Sequence, residues 1–357
     1  MINKIDYLEF YVFNAFQAAN FYRSVLGFNI IAYGGPETGL KDKISYILVQ
    51  EEIKLIISST IDKQSPIIRH VLSHDDSIKD IAFLCDDTSS TFKECIKLGA
   101  TPVLAPQEIN DGKEKIIKAS IATFGDTVHS FIERHNDSEI LPYYTRLPYM
   151  SSTKKVGLKS LDHLAIAIEK STIKKWQNFY KKVFEFHLFY SEDIELGKSG
   201  MRSIVVANRK ENIKLVFVEP ISEKEKSQIE TYINYNGGAG VQHIAFLSSD
   251  IIHSVKSLIK HGVKFLEVPA SYYEGLNFPT NQEFNKENIS SIKNLNILVD
   301  RDNDGYLMQV FSNPIQNSPT FFIEIIQRGK SKGFGSGNIR ALYSALQKNQ
   351  QIQGLIS

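Results

Sequence analysis

The chain has 357 residues, 41 Lys plus Arg against 40 Asp plus Glu (a formal net charge of +1), and 42% hydrophobic residues. That balance is ordinary for a globular protein and lacks the electrostatic signature of a nucleic-acid or membrane-surface binder; no apolar run nears the ~20 residues of a membrane span. The length suits two domains of about 150–180 residues, and two cysteines, Cys85 and Cys95, exclude a disulfide framework and suit a reducing cytoplasm.

The opening, MINKIDYLEFYVFNAF, enters an amphipathic pattern at once and lacks the basic start, apolar block and cleavage site of a signal peptide. Ile5 to Phe10 reads as a strand, and Phe21-Tyr22 and Leu26-Gly27-Phe28 close the following helix. A second strand, Asp80 to Leu84, leads to a helix ending at Ile96 to Ala100, and Phe131-Ile132-Glu133 ends the half. Pro142 to Lys155 is proline-rich and polar and reads as a linker. The order then recurs. Leu161 to Ile166 matches Ile5 to Phe10, Phe179-Tyr180 matches Phe21-Tyr22, and His243 to Leu247 matches Asp80 to Leu84. Ile259 to Val263 matches Ile96 to Ala100, with Gly262 expected to stop its helix. Phe322-Ile323-Glu324 matches Phe131-Ile132-Glu133. An offset of about 160 residues signals a duplicated domain.

Each half reads as two βαβββ units, an α+β architecture whose paired units share a strongly curved, open barrel-like sheet around a cavity. The expected division is 1–141 for a first domain without a metal site, 142–155 for the linker, and 156–357 for a second, catalytic domain. Beyond the flexible Gly333 to Asn338 turn, Ile339, Leu342, Tyr343 and Leu346 recur at helical spacing. They predict a helix over 336–350 that packs on the core and closes the second cavity.

Three polar residues fall on inward-facing strands of the second half: His163, His243 and Glu324, spaced by 80 and 81 residues. Two imidazoles and a carboxylate form the facial set that binds non-haem Fe(II) and leaves positions open, where a 2-oxo acid and dioxygen fit. The first half carries Tyr7, Asp80 and Glu133 at the matching places and lacks both imidazoles. They read as a polar remnant rather than an oxygen-ligand site. Nine histidines make any three weak evidence alone; the repeat, with one half keeping the set, gives it weight.

The motifs carry a resemblance. Gly238 to Ala245 is similar to the second-histidine motif of the 4-hydroxyphenylpyruvate dioxygenase family, and Val156 to His163 to its first. Pro319 to Arg328 resembles its carboxylate motif and Gly333 to Asn338 its C-terminal glycine motif. Tyr11, Asn14-Ala15, Gly35 to Gly39 and Phe124 to Thr127 extend the likeness through the first half. The resemblance implies the vicinal-oxygen-chelate (glyoxalase/bleomycin-resistance/dioxygenase) fold, Fe(II) in the C-terminal domain, an aryl 2-oxo acid and dioxygen as partners, and a homo-oligomer (dimer or tetramer). Neither nucleic acid nor membrane is an expected partner. The intact triad argues against a metal-free sequestering module. The glycine turn and closing helix argue against an extradiol ring-cleaving enzyme.

The family holds two reactions on 4-hydroxyphenylpyruvate. One hydroxylates the ring and gives homogentisate; the other hydroxylates the benzylic carbon and gives 4-hydroxymandelate. The homogentisate branch carries Pro-x-Asn-Glu-Pro at a pocket strand end, where this chain has Val216-Phe217-Val218-Glu219-Pro220. It carries Gly-Asn-Phe at the final helix, where this chain has Gly337-Asn338-Ile339. Both departures resemble hydroxymandelate synthases, so benzylic hydroxylation is the expected outcome and homogentisate formation or another 2-oxo acid the alternatives. Motif matching adds Ser203, Val216, Val218, Gln242, Gln309, Phe311, Asn338, Ile339, Leu342 and Tyr343 as substrate-pocket candidates. Gln242 and Gln309 are candidate hydrogen-bond partners of a phenolic or carboxylate oxygen.

Overall fold

The computed structural model describes residues 2–136, 138–150, 155–196, 199–221, 227–274, 276, 284 and 286–341. The first half runs β1 (Ile2–Tyr11), α1 (Ala15–Ser24), β2 (Asn29–Gly34), β3 (Ile44–Gln50), β4 (Ile53–Ser59), α2 (Pro66–His74), β5 (Ser77–Cys85), α3 (Thr88–Lys97), β6 (Pro102–Asn110), β7 (Lys115–Ala122) and β8 (Val128–Arg134). After β9 (Thr145–Met150) come β10 (Leu158–Ala167), α4 (Ile173–Phe184), β11 (His187–Leu196), β12 (Ser199–Ala207), β13 (Lys214–Pro220), α5 (Gln228–Tyr235), β14 (Gly240–Ser248) and α6 (Ile251–Lys260). Two helices, α7 (Ala270–Glu274) and α8 (Lys286–Asn294), precede β15 (Leu298–Arg301), β16 (Tyr306–Phe311) and β17 (Phe322–Gly329).

Each half forms one sheet, ordered β6-β7-β8-β5-β1-β4-β3-β2-β9 and β11-β12-β13-β10-β14-β17-β16-β15. Two βαβββ units thus join through the antiparallel pairs β1–β5 and β10–β14, and each sheet curls into a half-barrel. Residues 145–150, within the stretch expected as linker, form β9 and pair with the edge strand β2 through Ala32↔Arg146 and Tyr33↔Thr145. The open edge of β2 supplies unpaired backbone groups, and β9 satisfies them.

Alternation sorts the strands. On β10, Leu164 and Ile166 enter the main core, followed by Ile168 just past the strand end, while His163, Ala165 and Ala167 face the concave side. Helix α4 covers the main core with Ile173, Trp176, Tyr180 and Val183, spaced at 3, 4 and 3 residues. The helix starts repeat between the halves. Asp87 caps α3 by accepting from Ser90 N, and Asp250 caps α6 by accepting from His253 N. Gly262, at φ +96°, follows the last turn of α6.

One apolar core runs through both halves. Phe28 meets Phe246 at 6.2 Å and Phe83 meets Phe184 at 6.0 Å between centroids, and buried His129 Nε2 lies 2.7 Å from the Tyr180 hydroxyl. The concave faces are therefore left on the outer sides of this core, each with its own inner lining.

Candidate metal centre and pocket

The register of three adjacent strands builds the centre. Ala245 on β14 stands between His163 on β10 and Glu324 on β17. Its methyl leaves room for both longer side chains to converge. His243, two residues back on β14, projects from the same face. The three ligand atoms lie within 4.8 Å of one another, and all three residues are buried. Glu324 Oε2 is 3.2 Å from His163 Nε2 and 3.5 Å from His243 Nε2. That oxygen and His243 Nδ1 have no hydrogen-bond partner among the described residues. A buried carboxylate oxygen left facing two imidazoles is a donor set fitted to a cation.

Neighbours aim each ligand. Asp162 Oδ1 accepts from His163 Nδ1 at 2.8 Å, which points Nε2 inward. Arg328 grips the same carboxylate through Nε and Nη2 at 2.7 and 2.8 Å, and its Nη1 donates to the carbonyls of Ser331 and Gly333. Phe334 covers His163 edge-on at 5.2 Å and carries the Arg328 guanidinium at 5.3 Å. Phe322 stacks on His243 at 4.7 Å, and Phe311 meets it edge-on at 6.2 Å. Glu324's other oxygen accepts from Gln309 Nε2 at 2.8 Å. Gln309 Oε1 accepts from Asn338 Nδ2 at 2.8 Å, and Asn338 Oδ1 accepts from the Tyr272 hydroxyl at 2.6 Å. Every donor in this chain points toward the carboxylate, so each amide fixes the orientation of the next.

Charge follows from the same contacts. Burial opposes a proton on His163, but Glu324 and Asp162 outweigh it and hold the imidazole up at about 9. Burial also opposes charge on Glu324, and the imidazoles outweigh it and bring the carboxyl down to about 2. Burial pushes His243 down, so it stays neutral. The proton on His163 is the one a metal ion would displace.

An apolar cluster shares the concave face with the triad: Ala165, Ala167, Met201, Val205, Val216 and Val218 pack with Phe334, and Ile339 lies partly buried against them. Ser203 is buried opposite Val218 on the neighbouring strand. Gln242 is buried and pairs with Gln228, its Nε2 donating to Oε1 at 3.2 Å. Asn338 is fully buried, at 0% exposure, within the helical residues 336–341. Ser203, Val216, Val218, Gln309, Phe311, Asn338 and Ile339 thus lie in or beside the triad and this cluster. Leu342 and Tyr343, and the rest of the helix expected to 350, lie outside the described residues.

One expectation is corrected. Glu133 does not occupy the place of Glu324. In the first sheet Tyr7 pairs with Ala82 and Ala82 with Ser130, so Ser130 stands where Glu324 stands. Glu133 instead matches Gln327: it accepts from Thr88 N at the start of α3, as Gln327 accepts from Ile251 N at the start of α6. The shared Phe-Ile-Glu string misleads by three residues. The same register puts Lys118 at the position of Gln309. Its ammonium lies 3.1 Å from both the Tyr7 hydroxyl and Asp80 Oδ2, so a fixed side-chain cation fills the first half's centre. Asp6 and Arg134 repeat the Asp162–Arg328 pair.

Sequence reasoning missed Asp162, Arg328, Tyr272, Phe334 and Gln228. The repeat held a signal for the first two, since an acid directly before Tyr7 or His163 and an arginine at 134 or 328 recur in both halves.

Residues 160–310 match the Glyoxalase/Bleomycin resistance protein/Dioxygenase superfamily. The chain is 37% identical to 4-hydroxyphenylpyruvate dioxygenase of Danio rerio, over 98% of this chain and 91% of that one. It is 36% identical to the enzyme of the same name from Dictyostelium discoideum, over 98% of each. A solved triple-substitution variant of 4-hydroxymandelate synthase from Streptomyces coelicolor superposes with a TM-score of 0.88 at 34% identity, covering 98% of this chain and 99% of that one.

Proposed function

From the premise that this chain belongs to the 4-hydroxyphenylpyruvate dioxygenase family, whose members are non-haem iron dioxygenases, we propose that it converts 4-hydroxyphenylpyruvate and dioxygen to 4-hydroxymandelate and carbon dioxide. The observation that carries the product assignment is the apolar wall of Val216 and Val218, with Ile339 partly buried against it.

His163, His243 and Glu324 would hold Fe(II), which would supply open coordination positions for the 2-oxo acid and dioxygen and a redox route by which the substrate's own electrons reduce dioxygen. The chain's own residues do the rest. Asp162 and Arg328 fix His163, and Gln309 restrains one Glu324 oxygen so that the other faces the imidazoles. The Gln228–Gln242 pair offers amide groups to a phenolic oxygen. The aliphatic wall gives the aromatic ring neither an amide anchor nor a large ring to stack on, so the ring settles where the benzylic carbon lies nearest the metal. Phe334 and the helical residues 336–341 close over the centre and exclude water.

Homogentisate formation is the second reading, favoured by the names of the curated relatives. Both readings predict one dioxygen consumed and one carbon dioxide released per 4-hydroxyphenylpyruvate by the Fe(II)-loaded protein. Turnover is expected to vanish in His163→Ala and Glu324→Ala. No oxygen uptake with this substrate, or full activity in either variant, would overturn the assignment. Among the described residues no helix is long and apolar enough to cross a membrane; with its two buried thiols the chain fits a reducing cytoplasm.

A further inference from the structure

A second group of two imidazoles and a carboxylate lies away from the pocket, where the two halves meet. His70 and His74 stand four residues apart on α2, on one face of the helix, with ring centroids 4.6 Å apart. Asp126 reaches them from the turn before β8. One ligand atom of each residue lies within 4.8 Å of the others, as in the His163–His243–Glu324 set.

The hydrogen bonds leave a cation to be supplied. His74 Nδ1 faces the backbone carbonyl of Asn236, which only accepts, so Nδ1 carries a hydrogen. Its Nε2 faces Asp126 Oδ2 at 2.9 Å. With Nδ1 committed to a carbonyl, the contact between Nε2 and the carboxylate is completed by a proton or a metal ion between those two atoms. A backbone carbonyl holding the far nitrogen is also how metal-bound histidines are commonly oriented. His70 completes the set. It is 6% exposed, its Nε2 is 2.9 Å from the Ser77 hydroxyl, and its Nδ1 is buried with no hydrogen-bond partner. Lys79 is the competing cation nearby, and it is bound to the backbone carbonyl of Asp126 rather than to the carboxylate. A cavity of about 10 Å³ lies among these groups, room for one ion or one water.

The surrounding backbone is built for close approach. A side chain on Gly237 (φ +64°) would stand 2.8 Å from the Ser73 carbonyl, and one on Gly125 (φ +51°) 2.1 Å from that of Ala239. Segment 236–240 therefore docks tightly on α2 and the 125–126 turn, and it leads directly into β14, the strand of His243.

We propose that His70, His74 and Asp126 form a second metal site that takes a divalent transition-metal ion of the zinc class and pins segment 236–240 to the first half. Two buried imidazoles and one exposed carboxylate leave a coordination position open to water, and their nitrogen-rich character suits zinc-like ions over calcium or magnesium.

The test is metal content, independent of turnover. Metal-free full-length protein, its Asp126→Asn variant and its His70→Gln variant are saturated with Co²⁺, desalted and assayed for cobalt per chain. Asp126 is at the surface, so its conservative replacement leaves the fold intact, and Fe(II)-supported turnover serves as the check. The expected result is one cobalt fewer per chain in both variants than in the wild type. A ratio that either variant leaves unchanged overturns the proposal.

Discussion

Replacing Asp162 by asparagine separates holding a metal ligand from being one. The carboxylate accepts from His163 Nδ1 at 2.8 Å and from Arg328 at 2.7 and 2.8 Å, and its side chain is only 5% exposed. The amide of the Asp162→Asn variant would keep the shape and one carbonyl acceptor but lose the charge that steadies the imidazole. Loss of such a partner costs about 10–100-fold in metal affinity, about 1.4–2.7 kcal/mol. Outright removal of one member of a buried ion pair costs about 3–5 kcal/mol of stability. The loss here is smaller, because the amide still accepts and Arg328 keeps the Ser331 and Gly333 carbonyls. The assay is anaerobic Fe(II) titration of metal-free Asp162→Asn against a competing chelator, with kcat read at saturating metal. The expected outcome is a Kd raised about 10–100-fold and a kcat within a few-fold of wild type. A folded variant with unchanged Kd would refute the role given to this carboxylate.

Metal affinity should rise about tenfold per pH unit from neutrality and level off near 9, because binding displaces the one proton on His163; chelator competition across pH reads this slope. The same raised value stabilises the metal-free fold fully below the ordinary imidazole value of about 6.5, a contribution lost as pH rises through about 9, which calorimetry of the metal-free protein detects. Val216→Pro with Val218→Asn should move product toward homogentisate, read as the ratio of the two acids by chromatography. Tyr272→Phe removes the bonds to Val299 N and Asn338 Oδ1 and should cost about 1–3 kcal/mol in denaturant unfolding. Lys118→Met strands buried Asp80 without its counter-ion and should cost about 3–5 kcal/mol in the same measurement.

The duplicated fold was legible because alternation and helical spacing are local, and the repeat wrote them twice. The triad was legible because an imidazole on an inward strand position needs a reason, and only one half supplies two. The Glu133 assignment failed because a three-residue string match carries no register. Ladder pairing through Ala82 and Ser130 sets which residue faces the centre. The contacts of Lys118 and Tyr272 were hidden for a related reason. The Ala270 to Tyr273 segment resembles the hydroxymandelate synthase pattern, but a lysine and a tyrosine acquire these partners only when the fold brings them beside Asp80 and Asn338. Strand β9 hid within a proline-containing stretch because its pairing partner, the edge of β2, lies more than a hundred residues away.

The most direct test of the central claim is the identity of the eight-carbon acid formed from 4-hydroxyphenylpyruvate by the Fe(II)-loaded protein under oxygen. 4-Hydroxymandelate and homogentisate are isomers of equal mass, so chromatography against both standards, or the proton spectrum, decides between them. The aliphatic wall of Val216 and Val218 predicts 4-hydroxymandelate; homogentisate as the sole product would contradict it.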